Sequence, residues 1–181
     1  MEDATLCVYH RVPSNLIGSV LYPLNELKRV HPEAAATHLK KYRGREALLN
    51  RRIPHLDCLW NDALHLSAVH PSKIKSALEE ARHILPPYNW FEIDAALLSP
   101  DRTVLWEYPE SERARGDWTL DDHEVIPFDP GSLDRYSEVN ARTRRYYARF
   151  KPGERFLLFV GIAHVLFKGS VEVGGLRVIQ V

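Results

Sequence analysis

The hydrophobic and polar positions of the chain predict several short strands. Residues 5–10 predict a strand whose bulky members are Leu6, Val8 and Tyr9, and the runs WFEID and TVLWEY flank the turn sequence SPDR. Residues 63–69 alternate between apolar and polar. Alternation of this kind is typical of half-buried strands. Near the C-terminus, the runs RFLLFVG, HVLFKGS and LRVIQV predict three closing strands. Strands this short favour antiparallel pairing.

Between these strands, the sequence predicts helices. Pro32 and the acid after it predict a helix over residues 32–42, because proline suits the first helical position and an acid suits the first turn. REALLNRR predicts a second helical stretch, a third helix begins at Pro71, and a fourth covers residues 132–150. The segment 109–131 is polar and rich in Pro, Gly and Asp, which predicts a surface excursion.

This mixture predicts an α+β fold with short, mainly antiparallel sheets and flanking helices. The sequence shows no internal repeat, low-complexity tract or linker, so we expect one domain over residues 1–181. With 181 residues, of which 45% are hydrophobic and 27% charged, the chain has the composition of a globular domain with its own core.

The net charge and the composition of particular segments limit the expected binding partners and cellular compartment. Lys plus Arg and Asp plus Glu each number 24, so no global field draws the protein to nucleic acid or to anionic lipid. The acidic N-terminus does not resemble a signal peptide, and no long apolar run predicts a membrane span. The two cysteines, Cys7 and Cys58, lie in apolar surroundings that are typical of reduced, buried thiols. We therefore expect a cytoplasmic protein.

The first candidate for chemistry is the pair that ends the first strand. His10 and Arg11 lead from that strand into a loop, where rigid scaffolds often present functional side chains. A histidine there can donate a hydrogen bond to a ribose hydroxyl, and the planar guanidinium of an arginine can bind a phosphate. The alternative is a surface pair with no role.

A basic stretch, residues 40–52, is the second candidate. Arg43 and Arg45 flank Gly44, where backbone N–H groups could join the two guanidinium groups around a pyrophosphate or a nucleic-acid backbone. The alternative is a solvated basic face that balances acids elsewhere.

The third candidate is the run LDCLWNDALHLSAVH. It places Asn61 and His65 among strong hydrophobes, and buried polar groups must find partners, so they mark a polar network or a site. Histidine and aspartate also bind metals, but this spacing matches no metal motif and we assign no metal ligand.

Glu154 is the fourth candidate, because it precedes the apolar run RFLLFVG. A partly desolvated carboxylate at a strand edge can hydrogen-bond a sugar hydroxyl and stabilise positive charge on an anomeric carbon. The alternative is a turn residue that faces water.

Taken in order, two terminal segments resemble the ADP-ribosyltransferase superfamily. LCVYHRVPSNLIGSVL is similar to its opening, and GERFLLFVG with the strands after it is similar to its ending. The likeness is closest to the DNA-modifying toxin branch and to the RNA 2′-phosphotransferase branch. The chain also resembles bacterial proteins that share LYPLN, KYRGRE and LDCLWND.

The resemblance implies an ADP-ribosyltransferase-like fold and NAD as substrate. His10 would orient the nicotinamide ribose, Glu154 would stabilise the oxocarbenium-like state, and Asn15 would lie near the nicotinamide. The tyrosine that stacks on nicotinamide in one class has no certain match, since both Tyr42 and Tyr22 are candidates. The acceptor would be nucleic acid or protein, and an inhibitory protein partner is expected for a toxin-like enzyme.

We therefore predict an ADP-ribosyltransferase-like enzyme that binds NAD or a related phosphate-bearing ligand. Its catalytic residues are His10 and Glu154. The predicted ligand-binding residues are Arg11, Asn15, Tyr42, Arg43, Arg45, Asn61 and His65.

Two other functions stay open from the residues alone. A non-enzymatic nucleic-acid- or protein-binding module would use the basic stretch 40–52 and the arginine-rich segment 142–149, where Tyr146 and Tyr147 could stack on bases. A metal-dependent hydrolase would use the side chains of His10, His65 and His70.

Overall fold

The computed structural model describes residues 6–107 and 120–181, and a seven-stranded sheet forms the centre of this described part. Two short two-stranded sheets accompany it. The strands, in chain order, are β1 (Cys7–Arg11), β2 (Val20–Leu21), β3 (Arg52–Ile53), β4 (Cys58–Leu59), β5 (Leu64–Ser67), β6 (Asn89–Asp94), β7 (Thr103–Trp106), β8 (Val125–Pro127), β9 (His164–Phe167), β10 (Val171–Glu172) and β11 (Arg177–Gln180).

The large sheet has the order β11-β6-β1-β5-β9-β7-β8, and every recorded pairing in it is antiparallel. Strand β1 pairs with β6 along its whole length and meets β5 where Tyr9 lies opposite Ser67. The prediction of a mixed fold with antiparallel sheets is confirmed. The specific ADP-ribosyltransferase-like arrangement stays a prediction.

Proline residues lie at the start of three of the four α-helices in the described part of the chain. The α-helices in the described part are α1 (Leu24–Val30), α2 (Pro32–Leu39), α3 (Pro71–Glu80) and α4 (Ala141–Ala148). A 3₁₀ turn at Lys40–Tyr42 extends α2, so the predicted helix over residues 32–42 is confirmed in outline. Proline occupies the first turn of both α2 and α3, where its missing N–H would have no partner in any case.

Apolar side chains of the sheet pack into a main core cluster around the central strands. Val8, Leu66 and Val165 from three neighbouring strands are each no more than 1% exposed. A second cluster includes Trp60 and Trp106, and a third joins α3 to α4. The central strands are therefore held by side-chain packing as well as by their hydrogen bonds.

The structure corrects two predictions between residues 109 and 150. Residues 108–119 lie outside the described part, but the rest of the predicted surface excursion contains β8, and Phe128 beside it is buried. The predicted helix over 132–150 is divided into a 3₁₀ segment at Pro130–Tyr136 and the helix α4. Asn140 separates them, because its Oδ1 accepts the backbone N–H of Thr143 at 2.8 Å and caps α4.

The predicted strand over residues 155–161 is wrong. This apolar run is irregular, although Phe156 and Phe159 still pack against the third core cluster. Tyrosines of α4 serve its backbone: the hydroxyl of Tyr147 donates to the Leu158 carbonyl, and the Leu157 N–H donates to the Tyr146 hydroxyl at 3.1 Å. Side-chain hydroxyls thus replace a neighbouring strand as partners for these polar groups.

Both cysteines are free thiols, as expected. Burial raises the pKa of the Cys7 and Cys58 thiols above the ordinary value, so neither is set up as a nucleophile at neutral pH. None of the helices within residues 6–107 and 120–181 has the length and apolar character that crossing a bilayer requires.

Candidate functional site

A cleft of about 570 Å³ opens where β1 ends. Its walls come from β1 and the loop after it, from α1 and the end of α2, and from β5 and β9. A volume in this range accommodates a ligand the size of a nucleotide. The cleft contains these predicted ligand or catalytic residues: His10, Arg11, Asn15, Tyr42, Asn61 and His65.

Apolar and aromatic side chains form the inner surface of the cleft. Leu64, Leu66 and Ile162 are nearly inaccessible to solvent, and Trp90 packs edge-on against Phe159 with ring centroids 5.9 Å apart. A surface of this kind excludes water and favours a flat, weakly polar group such as a base.

His10 contributes a neutral imidazole to the cleft. Desolvation by burial lowers its pKa from 6.5 to about 4, and the positive charge of Lys41 adds to the effect. Its Nδ1 lies 2.7 Å from the Arg11 carbonyl and must carry the proton that this contact needs. Nε2 therefore keeps a lone pair and accepts hydrogen bonds, in contrast to the donor role predicted for this ring.

Two further neutral histidines lie deeper in the sheet. Burial lowers the pKa of His65 to about 3 and that of His164 to about 4, and their ring centroids are 6.4 Å apart. The His65 Nε2–H donates to the Trp60 carbonyl at 2.8 Å, and the His164 Nδ1–H donates to the Ile162 carbonyl at 2.7 Å. His164 was missed from the sequence, although a histidine inside the apolar run IAHVLF is the same kind of signal that drew attention to His65.

Arg11 and Lys41 supply positive charge at the edge of the cleft. The Arg11 guanidinium lies 3.4 Å from the centroid of the Tyr88 ring. Desolvation and the charge of Arg11 both lower the pKa of Lys41. Among the described residues that line the cleft, none is an aspartate or a glutamate. An anion placed between these two cations would thus meet no opposing carboxylate from that wall.

A hydrogen-bonded relay orients Lys41. The Asn15 amide donates to the Ala34 carbonyl at 3.2 Å, so its Oδ1 accepts from His38 Nε2 at 2.9 Å. The other ring nitrogen of His38 then accepts from the Lys41 amine at 3.3 Å. Asn15 lines the cleft, but both ends of its amide serve the protein itself. His38 had not been predicted as a site residue, and Lys41 had been considered only as a member of the basic stretch 40–52.

Tyr42 and Asn61 form a pair on the wall of the cleft. The Tyr42 hydroxyl donates to Asn61 Oδ1 at 2.7 Å. Burial raises the pKa of Tyr42, so the phenol keeps its proton and remains a donor. Tyr22, the other tyrosine considered from the sequence, also lines the cleft and packs edge-on against His31.

The predicted phosphate site at Gly44 is occupied by the chain itself. Neither Arg43 nor Arg45 is among the described residues that line the cleft. The Gly44 N–H donates to the Glu46 carboxylate at 2.9 Å, and the Arg45 guanidinium donates to the Lys41 carbonyl. The backbone hydrogen bond lowers the pKa of Glu46. This loop therefore holds an internal carboxylate where a ligand phosphate had been expected.

Glu154 does not enter the cleft. It is exposed and lies in a turn, where its Oε2 accepts the Lys151 N–H at 2.7 Å, and it is absent from the described cleft lining. Because the run after it is not a strand, no strand edge aims this carboxylate at His10. The expectation that His10 and Glu154 share one cleft is therefore not met.

The alternative functions lose part of their structural basis. His10, His65 and His70 do not form a metal-binding cluster. Within the described residues, the side chains that come close enough to share a metal ion are those of Asp121, His123 and Glu124. Their potential ligand atoms lie within 4.8 Å of one another. In α4, the hydroxyls of Tyr146 and Tyr147 hold residues 157 and 158, so these rings are committed to packing rather than free to stack on bases.

Comparisons with models of known protein families, with curated proteins and with solved structures find no match to this chain. The resemblance to ADP-ribosyltransferases therefore stays a prediction. Any function must be argued from the geometry of the cleft.

Proposed function

We propose that the cleft binds a phosphate-bearing nucleotide, with NAD as the leading candidate. The observation that carries this proposal is the pair Arg11 and Lys41 at the edge of a cleft whose described lining contains no carboxylate. Two cations this close repel each other, and an anion between them removes that repulsion. NAD leads among such ligands because of the resemblance of the two terminal segments to NAD-using enzymes.

The rest of the cleft supports a nucleotide rather than free phosphate. The lone pair on His10 Nε2 can accept a hydrogen bond from a ribose hydroxyl, since Nδ1 is already engaged. The apolar surface around Leu66, Trp90 and Phe159 suits a flat base. Phosphate, sugar and base thus each have a chemically matched part of the same cleft.

The reaction we propose for bound NAD is ADP-ribosyl transfer to nucleic acid or protein. It rests on the resemblance, and the neutral His10 beside the cations is compatible with it. Cleavage of the nicotinamide bond creates positive charge on the ribose, which a carboxylate normally stabilises. With Glu154 outside the cleft, that carboxylate has to come from another residue or from the acceptor.

Calorimetric titration tests the binding proposal directly. Wild-type protein should bind NAD and ADP, and Arg11→Ala or Lys41→Ala should each weaken binding about tenfold, the effect of losing one charge-assisted contact. Arg145→Ala, on the exposed face of α4, is the matched control and should leave affinity unchanged. Equal affinities in all four proteins would contradict the proposal.

A separate assay tests the reaction. Nicotinamide release from NAD should be measured with single-stranded DNA, RNA or protein supplied as acceptor. Binding without release under every acceptor would retain the nucleotide site and argue against ADP-ribosyl transfer.

A further inference from the structure

Two asparagines line the cleft and differ in one respect. Both ends of the Asn15 amide are engaged, with the Ala34 carbonyl and with His38. Asn61 is 2% exposed and uses its Oδ1 to accept from Tyr42, but its Nδ2 has no hydrogen-bond partner among the described residues. One amide is thus part of the scaffold, and the other carries an unused donor.

The orientation of the Asn61 amide is fixed by its neighbour. A protonated phenol at 2.7 Å donates to the amide oxygen, which leaves the NH₂ group as the remaining polar end. The turn that carries Asn61 is also held firmly. Asp62 accepts the Leu59 N–H at 2.8 Å and the Asn25 side-chain amide at 2.7 Å. The donor is therefore pre-organised before any ligand arrives.

An unsatisfied buried donor is unfavourable, and natural proteins retain few of them. At a cleft wall, the group that can satisfy it is an acceptor on the ligand. A single neutral amide suits a neutral oxygen, because the charged oxygens of a phosphate are better served by Arg11 and Lys41. The nitrogen is closed off from solvent, so a ligand oxygen has to displace the side chains that cover it.

We propose that Asn61 is a specificity-determining residue whose Nδ2 donates to a neutral carbonyl oxygen on the ring end of the ligand, with Tyr42 as its positioning residue. This inference rests on the proposed nucleotide site and deepens it. The carbonyl belongs to the carboxamide of a nicotinamide or to a nucleobase, and both sources present the same acceptor. A site with such a donor discriminates strongly against a ligand that lacks the acceptor.

The test compares ligands that share phosphates and differ in the carbonyl. Titrations use NAD, GDP and UDP, which carry a ring carbonyl or carboxamide, with ADP as the carbonyl-free reference and pyrophosphate as the probe of the cationic edge alone. The variants are Asn61→Leu, Asn61→Ser as a smaller polar replacement that lacks the amide nitrogen, and Tyr42→Phe. Asn89→Ser, at an exposed asparagine of β6, is the control, and thermal melting checks that each variant folds.

We expect one of the three carbonyl ligands to bind the wild type at least tenfold tighter than ADP. Both Asn61 variants should remove that preference and leave ADP and pyrophosphate within twofold, and Tyr42→Phe should remove part of it. NAD or a nucleobase diphosphate as the preferred ligand identifies the source of the carbonyl.

Equal binding of all four nucleotides, or an equal loss for ADP and the carbonyl ligands in Asn61→Leu, overturns the specificity role while the nucleotide site stands. If neither pyrophosphate nor any nucleotide binds the wild type, the proposed function fails, and this inference fails with it.

Discussion

The strand β1, which carries His10 near its end, and the run that follows Glu154 looked alike in sequence and fold differently. Both are short apolar segments beside a functional candidate. Strand β1 is paired with β6 along its length and touches β5, so its last residues are delivered to the cleft. The run over 155–161 has no strand neighbour, and its backbone is served by tyrosines of α4.

The difference shows what an apolar run does and does not specify. Apolar packing is present in both places: Val8 is fully buried in the main core cluster, and Phe156 is partly buried against the third. What separates them is where the backbone polar groups find partners, and this depends on elements distant in sequence. The position of a nearby catalytic candidate therefore depends on where the backbone N–H and C=O groups find hydrogen-bond partners.

The largest effect we expect concerns acidification of the region around β1. The pKa values of His10, His65 and His164 are lowered to about 4, 3 and 4, whereas an unfolded chain titrates near 6.5. Below about pH 6.5 these histidines bind protons in the unfolded state but not in the folded state, so their contribution to the free energy of unfolding is fully present above that pH and is lost as the pH falls toward 4. A pKa lowered by one unit corresponds to about 1.4 kcal/mol. Because all three rings are only half-buried, solvent screens part of this effect, and we expect a total loss of roughly 3 kcal/mol.

Urea unfolding at a series of pH values measures this loss. His65→Gln, which stays neutral, should show a weaker pH dependence, and His123→Gln, at an exposed histidine, should follow the wild type. A flat profile between pH 7 and pH 4.5 would show that the histidines of the cleft are as accessible to protons as in the unfolded chain.

A smaller effect should appear in the region after Glu154. Tyr147→Phe removes the hydroxyl that donates to the Leu158 carbonyl from a fully buried ring, and an unsatisfied buried acceptor costs about 1–3 kcal/mol. Tyr146→Phe is the matched control, because that hydroxyl serves Leu157 from a half-buried position and its loss should cost less. Equal costs in urea unfolding would argue against the side-chain support that distinguishes this region from β1.

The smallest effect is expected for Glu154→Gln. Glutamine keeps an oxygen that can accept the Lys151 N–H, and the side chain contributes nothing to the described cleft lining. Unfolding free energy should change by less than about 0.5 kcal/mol, as is usual for an exposed position, and NAD affinity should stay within twofold. His10→Gln, measured alongside, should weaken NAD binding. A loss of nicotinamide release of a hundredfold in Glu154→Gln would restore the catalytic role predicted from the sequence.

Short sequence patterns predicted the elements whose formation depends mainly on neighbouring residues. Pro32 and Pro71 marked two helix starts, bulky side chains marked β1, and alternation marked β5. In contrast, β8 was hidden in a polar segment because three residues of edge strand leave almost no pattern.

For the cleft, the sequence singled out several lining residues but did not predict their hydrogen-bond partners. His10 was selected because it lies near the end of a strand, and Asn61 because a polar group among apolar residues needs a partner; both line the cleft. The Gly44 loop failed as a phosphate site because Glu46, two residues on, fills it. Whether a loop binds an internal carboxylate or a ligand phosphate depends on side-chain geometry, which the spacing of residues in the sequence does not specify.

The pairing of β5 with β9 has a consequence for how the protein is made. Leu64 lies opposite Phe167, and His65 meets His164 only through this pairing, so the cleft joins residues about a hundred positions apart. Contacts at such separation form late, and a ribosome releases the chain from its N-terminus. During synthesis, the edge of β5 that pairs with β9 stays unpaired until β9 has left the ribosome. A nascent chain that is still short of His164 should therefore lack one wall of the cleft.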